Sequence, residues 1–519
     1  MSEAQAPSHP LRHAALVGLA GSATATVLAG VVHTLVPPVP FPPVSIAQRL
    51  VGTTSGQIES FFISHLGHWA ERITIIGASA TYVLSGAIVG VILARLSGTA
   101  RRMPERLWYV CLLPVWLVSV VAYQAAPQFL GRWAFAAVTL PIYLVGGTVA
   151  AWTDRRLHAP PTPTDESRRV FIRSVGFGTA GAVLGASGVG AMLFARPDPG
   201  GRMLHVPSLE PLPTPSGTAG DEAFEHIPGL TTEITPIGSF YVVDESFVDP
   251  DIDPASWRLQ VNGLVQRPMQ LSYPALKRLP AVERYQTLEC ISNHVGGHLM
   301  STARWVGVPL KEILDRAGVD ASRAVEVVFR AAGGYSDSLS IDQAMDDSTL
   351  VAIGMNGHVL PRAHGFPARL LSIGTYGMKN PKWLTSIEVV DRPYQGYWEQ
   401  RGWTKRAIVR SGSRVDVPTD GAVVGRAATI AGVAFSGDRG ISRVEVSTDN
   451  GRTWSDAQLK TALGPLTWRL WRYRWTPIRP GRFGIVARAY EGDGRLQSGA
   501  HRPPYPSGAS GYDEIEVTR

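Results

Sequence analysis

Cys290, in the run Thr287-Leu-Glu-Cys-Ile-Ser-Asn293, is one of only two cysteines in a chain of 519 residues. The other, Cys111, falls inside an apolar run, so the two cannot pair if that run lies in a bilayer. An odd thiol has two readings. It is a small buried hydrophobe, or a soft ligand for a metal held mainly by sulfur and deprotonated by that metal. Downstream lies a basic group: Arg362, His364, Arg369, Lys379 and Lys382. Forked Arg donors and Lys point charges suit a phosphate, although such a cluster alone is more often a solvated face. Gly365, Gly374 and Gly377 are interleaved with it and permit close backbone approach, which favours the phosphate. Tyr335, in Gly333-Gly-Tyr-Ser-Asp337, could hydrogen-bond a metal-bound oxygen or shuttle a proton, and it also suits an ordinary turn.

These residues need a scaffold of short mixed elements. Trp257–Gly263 alternates apolar and polar residues as a strand does and ends on Asn-Gly. Tyr273–Lys277 and Leu310–Ala317 read as short helices, and Val325–Phe329 as a buried strand, which predicts an α+β domain over 236–402. After Gly402 the texture changes. Ala427–Phe435, Ile441–Ser447, Trp468–Trp475 and Phe483–Tyr490 read as strands, with turns at Asp449-Asn-Gly451 and Gly492-Asp-Gly494. That spacing predicts an all-β, immunoglobulin-like sandwich over 403–519. Residues 196–235, rich in Pro, Gly, Ser and Thr, read as a linker.

The first 195 residues are of another kind, an α-helical membrane bundle. Runs long enough to cross a bilayer lie near Ala14–Val36, Ile73–Leu96, Leu107–Ala126 and Trp133–Trp152, with a weaker fifth at Val175–Phe194. Arg101, Arg102 and Arg106 sit between the second and third, and Arg155, Arg156, Arg168, Arg169 and Arg173 between the fourth and fifth. Short Arg-rich loops stay in the cytoplasm, so the N-terminus is expected inside and everything after the fifth span outside. The net charge of +7 is explained by these loops, and no nucleic-acid partner is expected. Ser167-Arg-Arg-Val-Phe-Ile-Arg173, just before the weak apolar run, resembles a twin-arginine export signal. Its competing reading is a pair of topological arginines. Export of folded chains implies cargo that binds its cofactor inside the cell, with the twin-arginine translocase as partner during biogenesis. His33 is the one histidine within the five spans, and His65 and His68 at the edge of the second suit an interfacial pair. The spans are therefore read as an anchor in membrane lipid.

Four motifs in order now carry a resemblance: the Cys290 run, Ser301-Thr-Ala-Arg-Trp-Val-Gly-Val-Pro-Leu310, Leu360-Pro-Arg-Ala-His-Gly-Phe-Pro-Ala-Arg369, and Gly377-Met-Lys-Asn-Pro-Lys-Trp-Leu384. From about Pro236 to the C-terminus the chain resembles the sulfite oxidase family of molybdenum enzymes. The resemblance implies molybdenum bound by a single pterin (molybdopterin), with Cys290 as the protein's metal ligand. It implies cofactor contacts from Tyr241 and Val242 in the first strand, from His364 and Arg369, and from Asn380, Pro381 and Lys382. It also implies a catalytic Tyr335 beside the metal's oxo groups and a dimerisation-type C-terminal module that supports a homodimer. Gly333 stands where many members carry a polar contact.

Departures bear on the substrate. Where sulfite oxidases place arginines, this chain has Val243, followed by Asp244 and Glu245, and then His294 and Val295 after the Cys motif; Arg304 and Arg369 remain. A pocket without those charge-assisted bonds disfavours a small dianion. The expectation is a membrane-anchored molybdopterin oxidoreductase on the outer face of the plasma membrane. It would transfer an oxygen atom to or from an S- or N-oxide rather than sulfite, with an unidentified electron partner in or outside the membrane. Repair of protein sulfoxides is one rival reading, and a cofactor-free adhesion or scaffold protein is another.

Overall fold

The computed structural model describes residues 10–36, 39–66, 69–96, 104–123, 131–158, 198–206, 209–210, 212, 221–244, 249–320 and 322–519. The twin-arginine motif and the expected fifth span at 175–194 lie outside them, as does Glu245. The chain forms two compact units, one mainly of the first 197 residues and one mainly of residues 198–519.

In the first unit α1 (Pro10–Leu35), α2 (Pro42–Val51), α4 (Trp69–Leu96), α5 (Glu105–Val110), α6 (Leu113–Ala122) and α7 (Arg132–His158) are helical; α3 (Gly56–Leu66) groups with the second unit. Among the described residues three stretches are long and apolar enough to cross a membrane: Leu11–His33, Ile73–Leu96 and Arg132–Leu157. The third expected span differs. It is broken at Cys111 and Leu112 into α5 and α6, with Pro114 in the first turn of α6. A proline there has no N–H to continue a helix from the preceding turn, which explains the break. Small residues let the helices approach: a Cβ on Gly18 of α1 would collide with the Gly86 carbonyl of α4. His33 is bonded to the Val39 carbonyl at 2.7 Å, a turn-closing role.

The second unit begins with two sheets. One runs Leu209–Glu210, Ala281–Glu289, Met300–Pro309, Leu350–Met355, Arg369–Leu371, with His358–Val359 paired to the fourth strand. The other runs Met269–Ser272, Arg258–Gly263, Leu384–Val390, Glu326–Ala331, Ser336–Ser340. Strands and the helix Leu310–Ala317 meet in a core of Leu259, Val308, Ile313, Phe329, Leu370 and Ile387. That helix ends on Gly318 at φ 68, a left-handed cap that glycine adopts at least cost. Next come two four-stranded sheets. Gly412–Val417, Ala428–Phe435, Arg469–Trp475 and Gln458–Leu459 form one; Ser455–Asp456, Ile441–Ser447, Arg482–Glu491 and Asp513–Thr518 form the other. Ile430, Trp471, Val444 and Ile485 bury the space between them.

The stretch read as a linker is tied down where it is described. Leu209–Glu210 adds a parallel edge to Ala281–Val282. Glu233 pairs with Lys460, and its carbonyl accepts from Trp468 Nε1 at 2.9 Å. Proline-rich composition sets backbone stiffness, but it does not prevent side chains from docking.

Candidate active site

The strand Ala281–Glu289 delivers Cys290 at its end, and a tight loop returns the chain to Met300. Backbone bonds pin that loop: Cys290 N–H donates to the Leu299 carbonyl at 2.9 Å, and Asn293 N–H to the Cys290 carbonyl at 2.9 Å. The Asn293 side chain accepts from Leu299 N–H at 3.0 Å and donates to Glu289 at 2.9 Å. Asn293 is thus the brace that holds the thiol in place, a role its spacing from Cys290 alone did not reveal.

Cys290 is buried and lines a pocket with Tyr241, Tyr335, His364, Arg369, Asn380, Pro381 and Lys382. The expected site residues therefore converge on one cavity, apart from Val242, which is 38 % exposed and does not line it. In an extended segment alternate side chains point to opposite sides, so Tyr241 and Val243 face in while Val242 faces out. The basic group divides. His364, Arg369 and Lys382 line the pocket, whereas Arg362 is held by Asp251 at 3.1 Å and Lys379 is buried against Asp337 and Glu399. The two departures divide as well. Val243 lines this pocket, and Val295 lines a neighbouring cleft with Arg410 and Arg414.

Electrostatics follow from burial. The Cys290 thiol is pushed up to about 11 by desolvation, so by itself it stays protonated and becomes a thiolate only when a metal takes the proton's place. His364 is held down to about 4 by burial and by the neighbouring Arg369, so it is neutral near pH 7 and serves as a hydrogen-bonding group rather than a cation. Arg369 donates to the carbonyls of His364 at 3.3 Å and Asn380 at 3.2 Å, so one guanidinium ties together the two loops that carry those residues. Lys382 is ion-paired with Asp244, donates to the Ala363 carbonyl at 2.9 Å and lies 4.8 Å from the Trp383 ring centroid.

The residues fit a metal cofactor that brings most of its own ligands. Among the described residues no three His, Cys, Asp or Glu side chains converge as a metal site, so Cys290 could contribute one soft bond and no more. Two glycines let the backbone pack closely against the side chains that line the cavity. Gly365 has φ 105, and an added Cβ would press on the Cβ atoms of Arg369 and Lys382 at 3.0 Å. A Cβ on Gly377 would come within 2.9 Å of the Tyr241 hydroxyl.

Sequence reasoning missed the rim. Trp398 and Trp403 line the pocket, their rings 6.5 Å apart and edge-on, and Tyr397 stands between Trp398 and Tyr335. The signal was the aromatic run Tyr394-Gln-Gly-Tyr-Trp398 before Trp403 in a segment without periodicity. Gly56, at the start of α3, also abuts Trp403: a Cβ there would lie 2.5 Å from its indole nitrogen.

Residues 246–398 match the family described as the oxidoreductase molybdopterin binding domain, and residues 400–476 match the Mo-co oxidoreductase dimerisation domain. The chain is 30 % identical to mitochondrial sulfite oxidase of Mus musculus over 320 residues, covering 52 % of this chain and 58 % of that one. It is 29 % identical to the protein-methionine-sulfoxide reductase catalytic subunit MsrP of Burkholderia mallei over 263 residues, covering 47 % and 75 %. The chain thus spans a little over half the length of the mammalian relatives it matches. Among solved structures, the sulfane dehydrogenase SoxCD of Paracoccus pantotrophus is similar at TM-score 0.48 and 21 % identity, over 60 % of this chain and 90 % of that one.

Proposed function

Because the chain belongs to the sulfite oxidase family of molybdopterin oxidoreductases, we propose that it is a membrane-anchored enzyme. It would transfer an oxygen atom to or from a sulfur or nitrogen oxide. The observation that carries this reading is the convergence of a buried Cys290 thiol with His364, Arg369 and Lys382 in one pocket. A soft ligand and a cationic floor in one cavity suit a metal–pterin with a terminal phosphate.

When bound, a single molybdopterin would supply two-electron oxygen-atom transfer at molybdenum. The chain's own residues do the rest. Cys290 holds the metal, Arg369 and Lys382 meet the phosphate, and Tyr241, His364, Asn380 and Pro381 line the pterin. Tyr335 holds a proton at its hydroxyl oxygen. Val243, Ile291, Trp398 and Trp403 keep water out and present an apolar wall to the substrate. That wall lacks paired arginines, so a neutral oxide is favoured over sulfite. Reduction of a methionine sulfoxide is the variant that the Burkholderia mallei relative and the aromatic rim together favour.

The C-terminal sandwich, of immunoglobulin type, would form a homodimer, in keeping with the dimerisation-domain match. The catalytic domain would face outward, placed there by the twin-arginine route, and exchange electrons with a membrane or exterior partner. Metal and pterin analysis of the purified protein tests the core of the reading. About one molybdenum and one pterin per chain are expected; a protein that purifies from a molybdenum-replete host without either overturns it in favour of a scaffold.

A further inference from the structure

Behind Tyr335 lies a buried group of charges. Asp337, Lys379 and Glu399 have side chains 1 %, 3 % and 4 % exposed, and Lys379 Nζ pairs with Asp337 Oδ1 at 2.6 Å and with Glu399. Two carboxylates thus share one ammonium inside the protein, an excess of one negative charge that burial makes costly. A proton retained on one of them removes the cost. The hydrogen bonds show where it fits. Asp337 Oδ1 accepts from Lys379 and from Ser338 N–H at 2.7 Å, while Oδ2 is the longer, 3.2 Å acceptor of a Tyr335 hydroxyl whose one proton is closer to the Met378 carbonyl. With Oδ1 taken by two donors, a carboxyl proton belongs on Oδ2, pointing at Tyr335. Tyr335 in turn donates to the Met378 carbonyl at 2.5 Å, from the segment that also carries Lys379.

Resting on the proposed function, we propose that Asp337 is the positioning residue that resupplies Tyr335 with protons, held in place by its buried pairing with Lys379 beside Glu399. Reducing a sulfoxide to a thioether and water takes up two electrons, from a reduced dye in the assay, and two protons. Each time the Tyr335 hydroxyl gives its proton to the departing oxygen, Asp337 Oδ2 returns one, and Asp337 takes its replacement proton from solvent water. Run as an oxidation, the same path carries two protons out. The titratable groups placed against Asp337 are Tyr335, Lys379 and Glu399, and Ser338 N–H and Gly396 also border it. Burial raises the Asp337 carboxyl to about 6, with Lys379 opposing and Glu399 adding to the rise. Burial lowers the Lys379 ammonium, but the two carboxylates outweigh it and raise it overall.

The full-length enzyme, Asp337→Asn and Glu399→Gln are compared in two ways. Infrared difference titration, which needs no turnover, should show a protonated carboxyl with a midpoint near 6 in the wild type that is absent in Asp337→Asn. In Glu399→Gln the midpoint should move to lower pH, because a neighbouring negative charge is gone. Turnover of methionine sulfoxide with reduced viologen should fall about tenfold in kcat in Asp337→Asn, with KM unchanged and a solvent isotope effect that the wild type lacks. Molybdenum content is measured alongside. Wild-type protein without molybdenum overturns the enzyme reading, while the infrared titration still decides the role of Asp337. An infrared band unaltered in both variants, or a molybdenum-loaded Asp337→Asn with wild-type kcat and isotope effect, overturns the relay. Should Asp337→Asn not fold, an unshifted Glu399→Gln midpoint overturns it alone.

Discussion

Lys382 and Asp244 form an ion pair at the wall of the pocket, their side chains 10 % and 4 % exposed. The lysine expected to meet a phosphate therefore already has an anionic partner. That partner directly follows Val243, the residue read as standing at an arginine position of the first strand. Replacing Asp244 by Asn removes that carboxylate from the ammonium. Pterin and molybdenum should then be retained more strongly through a high-salt wash, since one anion no longer competes with the other. Retention that falls instead would show that Asp244 orients Lys382 for the cofactor.

Cys290→Ser should leave the fold intact, because the loop is pinned by Asn293 and backbone bonds rather than by the sulfur. Molybdenum-dependent turnover should drop below detection, with Tm close to wild type. Persisting turnover would remove the metal-ligand assignment.

Sulfite should be a poor substrate. Of the two valines at arginine positions, only Val243 lines the pocket, so one ion-paired hydrogen bond is missing there. About 1.5–3 kcal/mol at about 1.36 kcal/mol per tenfold corresponds to roughly 10–150-fold in kcat/KM. Val243→Arg should recover part of that for sulfite and lower turnover of a neutral sulfoxide. Steady-state assays with both substrates decide it.

Acid should destabilise the catalytic unit partly through His364. Its folded pKa is lowered to about 4 against an ordinary 6.5. Between those values the unfolded chain binds the proton and the folded chain does not, so stability falls as pH drops from about 6.5 to 4. The full effect is about 3 kcal/mol. His364→Gln should flatten that part of the curve, measured as Tm against pH; an unchanged slope would mean the imidazole is already charged in the fold.

Arg168→Lys with Arg169→Lys keeps the charge that sets topology but removes the receptor-read pair. The catalytic domain should then stay in the cytoplasm, protected from protease added outside the cell. Exposure of a metal-loaded domain despite the change would reduce the pair to a topological charge.

Several features could be read from residue order because they depend on local chemistry. An odd cysteine with Asn three positions on, glycines among basic residues, alternating strands after Gly402 and apolar runs of bilayer length are all written along the chain. The two-helix form of the third apolar run needed only Pro114 to be weighed against length. What tertiary structure alone decided is which charges meet. Arg362 and Lys379 are basic residues within the same stretch as Arg369 and Lys382, yet Asp251 takes the first, and Asp337 with Glu399 the second. Val243 and Val295 looked equivalent and line different clefts. Trp398 and Trp403 reach the pocket from a segment with no period to announce it. Buried charge is stabilised only by partners within a few ångströms, and partners drawn from separate strands and loops become neighbours only once the sheets have closed around them.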